Sequence, residues 1–132
     1  MKIMVCYNGL DAAQRALDYA RKRAKENDAE LWVVYSLQAE NGTAHLYGDE
    51  IEQAKESLKA ASASLAQEGI AHQTHLLQRG LTAGEDLVLF AGENDMDEVV
   101  LGIRNRSRVG KLLLGSVAQY VILQGPCPVV SV

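Results

Sequence analysis

A doubly wound, five-stranded parallel α/β sheet with helices on both faces is the fold this sequence predicts. Three observations carry the prediction. Short apolar runs and segments of helical period alternate as βαβαβαβαβ from Lys2 to Val132. That order demands crossover helices between parallel strands. The run LWVVYSL over 31–37 is almost continuously apolar, as befits a strand covered on both faces. With 132 residues there is room for one core, so residues 1–132 are expected to form one domain. The expected strand order is 3-2-1-4-5.

The elements follow in order. Lys2 to Tyr7 is an apolar run closed by the turn pair Asn8-Gly9. Asp11 opens a helix whose buried face is Ala13, Ala16, Leu17, Ala20 and Ala24. Arg21, Lys22, Arg23 and Lys25 crowd its negative end, and Asn27-Asp28 stops it. After the strand at 31–37, the polar stretch Gln38 to Gly48 reads as a loop long enough to be functional. Ile51, Ala54, Leu58, Ala61 and Leu65 repeat at three and four in a second helix, which Gly69 closes. Ile70 to Gln78 is the third strand, with His72 and His75 on opposite faces. Thr82-Ala83-Gly84-Glu85 matches a capping box for the third helix. Asp97 to Gly102 is the fourth strand. Ser116 is the candidate N-cap of a last helix ending at Gly125, and Cys127 to Val132 is the last strand.

Composition narrows the function classes. Apolar residues make up 48% and charged residues 23%, which excludes a disordered chain. No apolar run is long enough for a membrane span, and the opening run is too short for a signal-peptide core. A cytoplasmic location is the default. Cys6 and Cys127 fit a reducing compartment as small apolar residues. The net charge of −4 argues against general nucleic-acid binding. Its distribution says more. All acids lie at or before Glu98, whereas Arg104, Arg106, Arg108 and Lys111 stand alone in the last 32 residues.

Doubly wound sheets bind ligands beyond the carboxyl ends of their strands, where the strand order reverses. Tyr7-Asn8-Gly9 and Leu101-Gly102 are the strand ends concerned. Between Gly102 and Ser116 the chain gathers a residue without Cβ, several cations, and a helix start with free N–H groups. That is equipment for a phosphate chain. It is not a Walker A loop, since Asn105 and Leu112 occupy positions that need Gly and Ser or Thr. Nor does GxGxxG follow strand one.

On these residues the whole chain resembles a single-domain universal stress protein. That family ends strand one with a pattern like V-x-Y-D-G-S and carries G-x2-G-x9-G-[ST] late in the chain. Here the late pattern reads Gly102-x2-Asn105-x9-Gly115-Ser116, so three of its four marked positions match. LGSVAQYVI and the ending CPVVSV are also similar to the family. Asn105 replaces the second Gly, and Asn8 stands where the family has Asp. Asn8 can still hydrogen-bond a ribose or adenine but supplies no charge for a metal ion.

The resemblance implies an adenine nucleotide, ATP or AMP, with Mg or Mn as its counter-ion, in a regulatory or sensing role. Backbone at Tyr35 and Leu101 would meet the adenine edge, and Asn8 would face adenine or ribose. Gly102, Arg104, Asn105, Gly115, Ser116 and Val117 would line the phosphates. Their chemistry adds Arg106, Ser107 and Lys111. The resemblance also implies a homodimer through Val129, Val130, Ser131 and Val132, an uncharged, β-branched edge suited to pairing. The alternative, kept open by Asn105, is a nucleotide-free family member acting as a dimeric interaction module.

Other signals carry less. His45, His72 and His75 lack metal-ligand spacing. Ser116 is not in a GxSxG elbow. Glu85-Asp86 and Asp97-Glu98 read as solvated caps and strand starts, and Trp32 as core. A nucleotidyl-transferring or ATP pyrophosphatase enzyme needs HxGH or SGGxDS after strand one, and neither occurs. No residue set is arranged to activate water, so nothing beyond slow ATP hydrolysis is expected.

Overall fold

The computed structural model describes residues 1–37, 48–103 and 114–132. Its elements are β1 (Lys2–Cys6), α1 (Asp11–Asn27), β2 (Glu30–Ser36), α2 (Gly48–Gln67), β3 (His72–Leu77), α3 (Ala83–Glu93), β4 (Glu98–Leu101), α4 (Ser116–Gln124) and β5 (Val129–Ser131). All five strands are parallel in one sheet, ordered β3-β2-β1-β4-β5. The expected architecture and strand order are both present. The reversal lies between β1 and β4, where Val5 faces Val100.

The central strands β1, β2 and β4 are largely apolar on both sides because both sides are covered. Ile3, Val5, Leu31, Val33 and Val100 pack with Ala16, Leu17 and Ala20 of α1 and Leu58, Ala61 and Leu65 of α2. Met4, Trp32, Val34, Val99 and Leu101 pack on the other face with Leu87 and Phe90 of α3 and Ala118 and Val121 of α4. Burying each of these larger side chains contributes roughly 1.5–3 kcal/mol. Small residues on α1 let its axis lie close to the sheet.

Helix ends follow local chemistry. Asp28 closes α1 in the left-handed region, its N–H donating to Ala24 O. Thr82 Oγ1 accepts from the Glu85 N–H at 3.3 Å and caps α3, as the capping box predicts. At α4 the expectation needs correcting. Gly115 is the N-cap and makes no side-chain bond, while Ser116 is the first helical residue. Its extended predecessor has already turned the chain, so the Ser116 hydroxyl is left free of the capping role.

Two acids also depart from the solvated role expected of them. Asp86 is 1% exposed and Glu98 6%. Arg79 Nε donates to Asp86, and Arg23 grips Glu98 with Nε and Nη2 at 2.8–3.1 Å. Burying these carboxylates is tolerable because each has a guanidinium partner, seven residues away for Asp86 and 75 for Glu98. Other cations toward the end of α1 pair at the surface. Arg21 and Lys25 both reach Glu68 at 2.8 Å, tying α1 to the end of α2.

Candidate functional site

At the switch point the ends of β1 and β4 part, and a cavity of about 820 Å³ opens between them. That volume suits a small-molecule ligand. Its floor is the exits of β1 and β4, Cys6 to Gly9 and Leu101 to Ile103. The first turns of α1 and α4 form two walls, with Arg15 at one rim and Gly115 to Ala118 at the other. Ser36, from the end of β2, and Ala83 and Leu87, from the start of α3, complete it.

The local sequence explains each wall. Gly9 adopts φ +78°, which a side chain disfavours, and so turns β1 sharply into α1. The Leu10 N–H donates to Asn8 Oδ1 at 3.0 Å in an Asx turn. Asn8 therefore spends its acceptor on the backbone and keeps its amide N–H groups for the cavity. In α4 the first backbone N–H within the helix bond pattern is that of Gln119, which donates to Gly115 O. Helix geometry leaves the N–H groups of Ser116, Val117 and Ala118 without an intrahelical acceptor. Nearby, Arg15 Nη2 donates to Ile103 O at 2.8 Å, holding a cation at the β4 exit. A helix N-terminus at one rim and a guanidinium at the other make the cavity receptive to an anion.

The floor is less polar. Burial, with a smaller contribution from Cys127, pushes the Cys6 thiol up to about 12, so it stays protonated. The Tyr7 hydroxyl, raised chiefly by burial, donates to Gln14 Oε1 at 3.0 Å. Neither group is poised as a nucleophile. Among the described residues there is no group of three or more His, Cys, Asp or Glu side chains that could hold a metal ion.

Of the residues singled out from sequence, Asn8, Leu101, Gly102, Gly115, Ser116 and Val117 line the cavity together. Tyr35 does not. It packs against the α1 and α2 side of the core, and its neighbour Ser36 lines the cavity instead. Arg104, Asn105, Arg106, Ser107 and Lys111 lie outside the described residues, as does 38–47 of the long loop. Arg15 and Ser36 were not anticipated. Ser36 is the only small polar residue in the run 31–37, and that isolation was the available signal. Arg15 sits on α1 without a distinguishing pattern.

Known proteins match this chain along its length. A model of the universal stress protein family matches residues 1–132. A universal stress protein of Methanocaldococcus jannaschii is 33% identical over 140 residues, which are 99% of this chain and 81% of that one. Among solved structures, a universal stress protein from Archaeoglobus fulgidus superposes with a TM-score of 0.85 at 39% identity, covering 99% of this chain and 97% of that one. Another from the same organism, in complex with dAMP, gives a TM-score of 0.79 at 33% identity over 99% and 96% of the two chains.

Proposed function

The chain belongs to the universal stress protein family, and from that premise we propose that it binds an adenine nucleotide, ATP or AMP, in the β1/β4 cavity as a sensor or regulator. One observation carries this reading. The N–H groups at the start of α4, which have no intrahelical acceptor, and the Arg15 guanidinium line one cavity of about 820 Å³. The dAMP complex of the Archaeoglobus fulgidus relative supports it. Phosphates bind at the α4 rim, and Gly102, Gly115, Ser116 and Val117 supply close backbone. Arg104, Asn105, Arg106, Ser107 and Lys111 complete the phosphate end. Asn8 carries no charge, so a Mg or Mn ion is held through the phosphates themselves.

The protein works as a cytoplasmic homodimer joined through β5. Val132 exchanges both its backbone bonds with β4, accepting from Ile103 N–H and donating to Leu101 O at 2.9 Å each. Pro128 O likewise accepts from Val99. By alternation, the N–H and C=O groups of Val129 and Ser131 point away from the sheet, ready for a second copy. No described helix is long and apolar enough to cross a membrane.

The test is direct. Protein purified without added ligand is extracted and its nucleotide measured, alongside titration with AMP and ATP. Ser116→Pro removes one of the free N–H groups at a helix position that tolerates proline, and Arg15→Ala removes the cation. Each is expected to weaken binding about tenfold, the effect of losing a charge-assisted bond. Absence of nucleotide binding in the unmodified chain would favour the dimeric interaction module, a reading supported by the prior engagement of Asn8 Oδ1 with Leu10.

A further inference from the structure

We propose that the outer edge of β3 docks an extended acidic peptide, which adds a strand to the sheet and sets its carboxylates against Lys55 and Lys59 of α2. This surface lies apart from the nucleotide cavity and does not depend on it.

β3 is one end of the sheet. Its pairing with β2 runs unbroken from His72, opposite Leu31, to Leu77, opposite Ser36. At the two ends of this ladder β2 takes the carbonyls of Ala71 and Leu77, at 3.0 and 2.9 Å. Backbone direction alternates along a strand, so Gln73 and His75 also face β2. The N–H and C=O groups of His72, Thr74 and Leu76 point the other way, and none of them has a backbone partner among the described residues. Sheets protect such an edge with a charge or proline on the strand, a bulge, or brevity. β3 reads HQTHLL with all six residues in register, and has none of these.

The flank supplies the specificity. A groove of about 570 Å³ runs beside the edge, lined by Lys55, Leu58, Lys59 and Ser62 of α2 and by Thr74 and Leu76 of β3. His72 Nδ1 donates to Ile70 O at 2.8 Å, so in the neutral ring Nε2 accepts from Ser62 Oγ at 2.7 Å. Both polar side chains are thus spent within the chain. α2 returns the chain between two parallel strands and runs opposite to β3. Ser62 therefore stands at the His72 end, and Lys59 and Lys55 follow toward Thr74 and Leu76. No acid lines the groove. Lys59 makes no ion pair among the described residues. Lys55 has a loose one to Glu52 at 3.9 Å, with both side chains more than half exposed. Such a pair is worth little and is readily exchanged. The lysines stand on α2 rather than on β3, so they leave the strand's backbone open.

In an antiparallel register, peptide residues opposite His72, Thr74 and Leu76 exchange backbone bonds with them and share their face. Those positions carry the acids. The positions between lie on the other face, where His75 stacks on Trp32, and take β-branched apolar residues. The fitting partner is a strand in which acids alternate with Val or Ile. The chain carries −4 overall, which disfavours such a strand elsewhere on the surface.

The experiment is fluorescence anisotropy of the dye-labelled peptides VEVEVEV and VKVKVKV, titrated with the full chain at pH 7 and low salt. The acidic peptide is expected to bind at least about tenfold more tightly. Lys55→Glu together with Lys59→Glu is expected to reverse the preference. Thr74→Pro removes an outward N–H that β2 does not use, and is expected to weaken the acidic peptide about tenfold with an unchanged circular dichroism spectrum. VEVEVEV methylated at its Glu backbone nitrogens tests the same bonds without altering the protein, and is expected not to bind. Equal affinity for VEVEVEV and VKVKVKV, binding of neither, or undiminished binding of the methylated peptide overturns the proposal. So does a dimer that persists in Ser131→Pro and is dissolved by Thr74→Pro, which gives the edge to a second copy.

Discussion

Gly102 is in van der Waals contact with the Ala12 backbone so tightly that a Cβ at Gly102 would lie 1.9 Å from Ala12 O and 2.3 Å from its carbonyl carbon. The exit of β4 and the first turn of α1 are thus seated on each other without a side chain between them. The absence of a Cβ at Gly102 serves this packing first, and only through it the ligand. Gly102→Ala is expected to cost about 2–3 kcal/mol, because backbone rather than a flexible side chain must yield. Urea unfolding of the variant measures it. A midpoint unchanged from the parent would show that the two segments can separate freely.

The outward-facing groups of β5 make a second prediction. Ser131→Pro removes an N–H that β4 does not use, so the monomer fold is kept while pairing with a second copy is lost. Sedimentation equilibrium is expected to show dimer for the parent and monomer for the variant, with equal helix content by circular dichroism. A variant that remains fully dimeric would remove β5 from the interface.

His75 gives a pH dependence. Its ring stacks on Trp32 with centroids 5.1 Å apart and tilts against Phe90 at 5.0 Å. Lys2 Nζ lies over the Trp32 ring, and Glu30 accepts from Trp32 Nε1. Burial lowers the His75 pKa from its ordinary 6.5. The unfolded chain therefore takes up the proton more readily than the folded one. Stability from this residue is full above 6.5 and is lost as pH falls through the lower folded value. The parent is expected to lose more stability than His75→Gln between pH 7 and pH 5, read as the difference between two denaturation series. Parallel series would mean that the ring protonates without leaving its stack.

Removing Arg79 isolates Asp86. With the carboxylate buried and the guanidinium about a third exposed, Arg79→Ala is expected to cost about 2 kcal/mol, less than for a wholly buried pair. Arg79→Lys, which keeps the charge but not the two-pronged grip on Asp86, falls between. A loss below about 0.5 kcal/mol in the alanine variant, measured by urea unfolding, would place the pair among ordinary surface bridges.

Much of the fold was legible because it depends on local patterns. The unbroken apolar run at 31–37 and the spacing of Ala13, Ala16, Leu17, Ala20 and Ala24 each report directly on what covers them. The ends of elements, where a single hydrogen bond decides, were legible at Thr82 and shifted by one at Ser116. The fates of Asp86 and Glu98 were not legible, since burial of a carboxylate depends on a guanidinium that the turn before α3 folds back onto Asp86 and that α1 brings to Glu98 from 75 residues away. The site shows the same limit. Residues at strand and helix ends converge as the topology requires, yet the presence of Ser36 in the cavity lining turns on the phase of a strand at its last residue. Arg15, one cation among many on α1, gains its place only when the β4 exit arrives beside it.

The cavity draws its walls from the beginning, the middle and the end of the chain, joined by the long-range pairing of β1 with β4. No fragment ending before α4 can contain it. During synthesis the site comes into being only after the final third of the polypeptide has emerged and docked, which is the slow, non-local part of assembly. A nucleotide held there would favour the finished molecule over every partial one by mass action. Occupancy would then double as a quality mark, distinguishing completed copies from nascent or truncated ones.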